Sequence, residues 1–140
     1  RRPGASGTTN VEPKPGMATL RVAYFFSGVE RKSSIADCLR EDCEKSGHGL
    51  KMFEVDTLVG GDDHNLSCPK VQKAWKIEEG QFDMVIHSPP CGTWSRSNWA
   101  NDVGPQPCRN RQHPWGLPDQ APAQRRRAEK GNTFIRLAWL

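Results

Sequence analysis

Apolar and polar positions divide the 140-residue chain into a start almost without large apolar side chains, a regular middle, and a polar stretch before a last apolar run. Residues Arg1 to Thr19 carry Pro3, Gly4, Gly7, Pro13, Pro15 and Gly16, a density of breakers that predicts a disordered leader. At Leu20 the pattern changes. Leu20-Arg21-Val22-Ala23-Tyr24-Phe25-Phe26 is a short β-branched and aromatic run that predicts a buried strand, ended by a turn at Ser27-Gly28. Ser33 or Ser34 can cap a helix whose apolar positions Ile35, Cys38, Leu39 and Cys43 recur at helical spacing, and Gly47 and Gly49 close it. A second strand is expected over Leu50 to Asp56, ending on carboxylates, then a polar loop from Val59 to Asn65. Val71, Ala74, Trp75 and Ile77 mark a second helix running to Gly80, and Phe82 to His87 a third strand stopped by Ser88-Pro89-Pro90. From about Gln124 to Leu140 a last helix is expected to return onto the sheet. It reaches Leu140 without a C-cap, so the chain is expected to stop inside a larger catalytic domain.

Strands separated by helical segments of this length imply crossover connections and a parallel sheet with flanking helices. The expected fold class is therefore α/β and Rossmann-like. One incomplete domain is read over residues 20–140 after the leader 1–19, with a Pro-, Arg- and Trp-rich insert over 96–124. Ligands of such sheets bind outside the carboxyl ends of the strands. That rim receives Ser27-Gly28, Glu54 with Asp56, and Pro89-Pro90-Cys91.

Composition narrows the class. The chain is 35% hydrophobic, and nothing in it approaches the roughly 18 to 20 consecutive apolar residues of a membrane span. The opening residues lack the apolar core of a secretory signal, which points to an intracellular protein, nuclear if its source is eukaryotic. Five cysteines (Cys38, Cys43, Cys68, Cys91, Cys108) without a Cys-x-x-Cys pair fit reduced thiols better than disulfides or a zinc finger, and His48, His64, His87 and His113 share no metal-ligand spacing. No metal is expected. The net charge of +4 is uneven: from Arg96 onward eight basic residues face three acidic ones. A polyanion such as nucleic acid would favour that excess; a solvated surface would also account for it.

Three segments could carry chemistry. A glycine after the first strand, as in Phe26-Ser27-Gly28, lets a nucleotide-like ligand approach the backbone. A carboxylate after the second, Glu54 or Asp56, suits ribose hydroxyls. In Ser88-Pro89-Pro90-Cys91-Gly92-Thr93-Trp94-Ser95 two prolines stiffen the backbone and aim Cys91 out of the rim, with His87 before it and Arg96 after it to favour a thiolate. In the insert, Trp94, Trp99 and Trp115 alternate with Arg96, Arg109, Arg111 and His113. That alternation serves base stacking along a nucleic-acid backbone or, equally, a lid anchored by tryptophan.

Phe25-Phe26-Ser27-Gly28, Glu54-Val55-Asp56 and Ser88 to Ser95, in that order and each after a strand, resemble the cofactor and Pro-Cys motifs of the DNA cytosine carbon-5 methyltransferases, and Gly131 to Leu137 resembles the helix that follows them. The likeness covers about Leu20 to Leu140. It implies a partial S-adenosylmethionine-dependent methyltransferase fold, S-adenosylmethionine as cofactor and DNA as partner. It makes Cys91 the nucleophile that adds to carbon 6 of a flipped-out cytosine, while carbon 5 takes the methyl group. It assigns Phe26, Ser27, Gly28, Glu54, Asp56 and Pro89 to the cofactor, with either acid as the ribose ligand, and Pro90, Ser95 and Arg96 to the substrate base and strand.

The sequence departs from the family pattern where Glu30 replaces a glycine and Gly92 a glutamine. Only one helix separates the acidic strand from the Pro-Cys strand, so Asp56 also matches a later, adenine-contacting acid of the family. No Glu-Asn-Val segment follows. A catalytically inactive Rossmann-like module that binds nucleic acid within a larger or mobile-element-derived protein is the competing reading. Amino-group methylation is disfavoured because Cys91 stands where those enzymes carry an aromatic after Ser-Pro-Pro.

Overall fold

The computed structural model of the chain describes residues 8–29, 31–90, 92–95, 104 and 106–138, with the backbone alone at position 8 and positions 76–79. Two compact units divide the chain, Arg1–Ser88 and Pro89–Leu140. The break falls inside the Ser-Pro-Pro-Cys segment.

The first unit is mixed α/β, built on a four-stranded, mostly parallel sheet compatible with a Rossmann-like layout. Its central strand, β2 (Thr19–Phe25), is the apolar run expected to be buried, and Val22, Ala23, Tyr24 and Phe25 are buried. β3 (Gly49–Val55) and β4 (Met84–His87) pair with β2 in parallel on its two sides, with Tyr24 opposite Glu54 and Phe25 opposite His87. Parallel neighbours need crossover connections. Helix α1 (Ile35–Ser46) supplies the first and α3 (Pro69–Glu79) the second.

Helix α1 begins as the serine pair predicts. Ser34 Oγ accepts from the Asp37 N–H at 3.1 Å while Asp37 Oδ2 accepts from the Ser34 N–H at 3.2 Å, a reciprocal box that satisfies two otherwise orphaned donors. Gly47 closes the helix, its N–H donating to the Cys43 carbonyl at 2.8 Å. Ala36 and Cys43 of α1 bury against Val22, Tyr24, Leu50 and Met52 of the sheet. Truncating Leu50 or Met52 to alanine in such a core costs about 2–5 kcal/mol.

Strand alternation sends Phe25, Phe53, Val55 and His87 to the opposite face. There Phe25 meets the Trp75 ring edge-on at 5.9 Å, and Trp75 in turn meets His64 at 5.7 Å. Helix α1 thus covers one face of the sheet, and Trp75 of α3 packs on Phe25 of the other.

Three sequence expectations change here. Thr8–Val11 of the expected disordered leader forms β1, an antiparallel edge strand on β3 with Thr8 opposite Phe53 and Val11 opposite Leu50; an exposed strand edge accepts any extended backbone, whatever its proline and glycine neighbours. Residues 1–7 lie outside the described residues. The polar loop expected from Val59 to Asn65 is instead the end of a one-turn helix, α2 (Thr57–Gly60), and a 3-10 turn, Gly61–His64. His64 is buried there, its ring edge-on to Trp75. The third strand begins at Met84, and the residues before it still meet β2: the Asp83 N–H donates to the Arg21 carbonyl at 2.9 Å, the Arg21 N–H donates to Asp83 Oδ2 at 2.7 Å, and the Phe82 ring sits under the Arg21 guanidinium.

The second unit carries α4 (Pro122–Ala138), which starts within two residues of the expected point, with proline in the first position where no N–H is needed. Ala128, Gly131, Asn132, Phe134 and Leu137 are its buried positions. Of the 96–124 insert, positions 96–103 and 105 lie outside the described residues.

Candidate functional site

After the edge strand β1 the chain forms β2, passes to one side for the parallel neighbour β3 and crosses to the other for β4, so the parallel strands run outward from β2 in opposite directions. Open α/β sheets bind ligands at such a switch point, outside the carboxyl ends of the two diverging strands. Here that position is the turn after β2 together with the end of β4.

The turn after β2 has an unusual backbone. Phe26 has φ 60° and Gly28 φ 74°, both left-handed. For Phe26 that conformation costs about 1–2 kcal/mol, and the Phe26 N–H, donating to the Val55 carbonyl at 2.8 Å, holds it in place. Such strain persists only where surrounding contacts over-determine it, commonly at ligand sites. At Gly28 a side chain would point into open space, with no atom within 4 Å. The glycine is required by its φ, and its bare face is turned to an open approach. Ser27 between them is buried.

Asp56 holds the turn from the neighbouring strand. Its Oδ2 accepts from the Gly28 N–H at 3.1 Å, and its Oδ1 accepts from the Leu58 N–H at 2.9 Å as the N-cap of α2. Asp56 is thus the carboxylate that lies beyond the last paired residue of β3, whereas Glu54 sits one step inside the ladder opposite Tyr24. Among the described residues each Asp56 oxygen accepts one hydrogen bond, and a carboxylate oxygen can accept a second.

On the β4 side, the Ser88 N–H donates to the Phe25 carbonyl at 3.1 Å, extending the ladder to the rim. His87, expected to lie beside the thiol, has its ring stacked on Phe25 at 4.9 Å and 28°. Pro89 is half-buried and Pro90 exposed, at the start of the second unit, and Ser95 is half-buried. Cys91 and Arg96, the expected nucleophile and strand contact, lie outside the described residues, as does Glu30. Phe26, Ser27, Gly28 and Asp56 are therefore brought together on the first unit.

The second unit resolves part of the Trp and Arg pattern. Arg109, read as a candidate surface cation, is 6% exposed. Its Nη1 donates to the Pro114 carbonyl and to Asn132 Oδ1, each at 2.8 Å, and its Nη2 to Thr93 Oγ1 at 2.8 Å and the Ala128 carbonyl at 3.1 Å. The guanidinium also lies 3.7 Å from the centroid of the Trp94 ring. Burial lowers its pKa from the ordinary arginine value. Arg109 and Trp94 are thus internal scaffolding, because a planar five-donor fork satisfies several dispersed acceptors at once. Trp115 differs: it is half-exposed, with the Arg136 guanidinium 5.3 Å from its ring centroid.

Among the described residues, no group of three His, Cys, Asp or Glu side chains is placed to hold a metal ion, and no helix is long and apolar enough to cross a membrane. Comparison with protein-family models, with curated proteins and with solved structures finds no match to the chain.

Proposed function

We propose that the chain is a DNA cytosine carbon-5 methyltransferase-like domain that takes S-adenosylmethionine at the rim of β2. The observation that carries this reading is the strained Phe26-Ser27-Gly28 turn, tied by Gly28 to Asp56 at the switch point of the sheet. A nucleoside-bearing cofactor fits these residues in two respects: Gly28 leaves its face of the turn open, and each Asp56 carboxylate oxygen can accept a second hydrogen bond, as from a ribose hydroxyl. Of the two acids left open by the sequence, the rim position favours Asp56 as the ribose ligand. The bound cofactor supplies the methyl group. Cys91, three residues beyond Ser88 in the sequence, is the nucleophile assigned by the likeness of Ser88 to Ser95 to the family's Pro-Cys motif. Its thiolate adds to carbon 6 of cytosine and leaves when the carbon 5 proton is removed.

Titration calorimetry of the chain with S-adenosylhomocysteine tests the reading, with Gly28→Leu as the variant that fills the open approach. Saturable binding lost in a folded Gly28→Leu protein is expected. Absence of binding by the folded wild-type chain would sink the proposal. A second reading, a nucleic-acid-binding module without catalysis, draws support from the concentration of basic residues in the second unit.

A further inference from the structure

Charge segregates at the boundary between the two units. Beyond Ser88 the chain has eight Lys and Arg against three Asp and Glu, a net of +5, whereas residues 1–88 have twelve against thirteen, a net of −1. The second unit is therefore the basic one, and only Arg109 of its described cations is withdrawn into the interior. Arg111, Arg125, Arg126, Lys130 and Arg136 are exposed.

Four of these five lie on α4, where Ala128, Gly131, Asn132, Phe134 and Leu137 are buried and Arg125, Arg126, Lys130 and Arg136 are exposed, with Glu129 the exposed acidic residue among them. From Arg125 to Arg136 this exposed set spans about 16 Å of helix at 1.5 Å per residue. Trp115 stands at its far end, 52% exposed, under the Arg136 guanidinium and edge-to-face with Trp94 at 5.9 Å. The Asn132 side chain fixes the Trp115 backbone by donating to its carbonyl at 2.8 Å. Asn132 in turn accepts from the buried Arg109, so the exposed indole is mounted on the internal network and not on a free loop.

A fixed, half-exposed indole beside a set of exposed cations suits a ligand with a flat π surface and regularly spaced negative charge. A base can stack on such a ring only when it is not held inside a duplex, and base-on-aromatic stacking tolerates any base. We propose that the exposed cations of α4 together with Trp115 bind single-stranded nucleic acid, one base stacking on Trp115 and the phosphates following Arg136, Lys130, Arg126 and Arg125. This surface belongs wholly to the second unit and does not rest on the methyltransferase reading; it states which form of nucleic acid the second reading of the previous section would bind.

The test is fluorescence anisotropy of the full chain with a fluorescein-labelled 20-nucleotide oligothymidylate and with a duplex of equal length, each over a salt series. The single strand is expected to bind more tightly than the duplex, with affinity falling as salt rises. Trp115→Ala should weaken single-strand binding by roughly 5- to 100-fold, and Trp115→Phe, which keeps a ring, by much less. Lys130→Gln should lower the slope of log affinity against log salt by about 0.7. Equal or tighter binding of the duplex, or unchanged affinity in Trp115→Ala, overturns the proposal. Circular dichroism shows that each variant is folded, and Trp115→Phe separates loss of stacking from loss of structure. S-adenosylhomocysteine binding, measured separately, reports on the first unit alone.

Discussion

The Gly28 N–H donates to the Asp56 carboxylate at 3.1 Å, so the turn after β2 and the helix start after β3 are held by one side chain. Two loops 28 residues apart in sequence thereby share a single carboxylate, one on each of its oxygens. Any ligand at this rim meets a backbone whose position is set by Asp56 before binding.

Asp56→Ala is therefore expected to remove both the cap of α2 and the tie to Gly28, at a cost of about 1–2 kcal/mol. Asp56→Asn, which can still accept the Leu58 N–H through its oxygen but turns an NH2 toward Gly28, should lose about half as much. Urea denaturation gives both values, and an unchanged midpoint in Asp56→Ala would contradict the role assigned to the carboxylate.

Gly131 lies inside α4, where alanine ordinarily gains about 1 kcal/mol over glycine. At this position a Cβ would stand 2.5 Å from Thr93 Oγ1 and 3.2 Å from an Arg109 nitrogen. Gly131→Ala is expected to push Thr93 off Arg109 and to destabilise the second unit by about 1–3 kcal/mol. Adding Thr93→Ala removes the obstructing oxygen, so the double variant should lose less than the sum of the two single changes. Strict additivity in thermal or denaturant unfolding would argue that helix and loop do not meet as described.

The capping box of α1 predicts an acid response. The Ser34 backbone hydrogen bond, followed by the Arg40 side chain at 2.8 Å, holds the Asp37 carboxyl below its ordinary value of 3.8. A carboxylate depressed in the folded state contributes stability that is present above its unfolded pKa and is lost as pH falls through the folded one. The stability difference between the wild type and Asp37→Asn should thus be constant near neutrality and shrink as pH falls below about 4. Denaturant titrations at a series of pH values measure it, and a difference that persists at pH 2 would exclude the ionised carboxylate as its source.

Much of the first unit was legible in the chain because its determinants are local. The run from Leu20 to Phe26 is short and rich in β-branched and aromatic residues, as a buried strand is, Ser34 and Asp37 make their box within one turn, and Gly47 stops the helix in place. The turn at Ser27-Gly28 and the acid after the second strand were legible in the same way, as residue types following an apolar run. The edge strand β1 was not. Nothing within Thr8–Val11 distinguishes it from the residues around it, and it becomes a strand because β3 offers an unpaired edge. The choice between Glu54 and Asp56 was equally closed to the sequence, since two residues of spacing place both on the same side of a strand and only the end of the ladder at Val55 separates them.

Arg109 marks the limit most clearly. In the sequence it is one arginine in a basic stretch, indistinguishable from Arg111 two residues later. Its acceptors come from Thr93, Pro114, Ala128 and Asn132, and it is buried only because those four converge around it. The sequence by itself determined the three parallel strands, helices α1, α3 and α4 and the types of residue that reach the rim, because period, caps and turns act over a few positions. Tertiary structure alone decided which charge is buried and which is free, because desolvation and hydrogen-bond satisfaction depend on atoms that distant segments bring together.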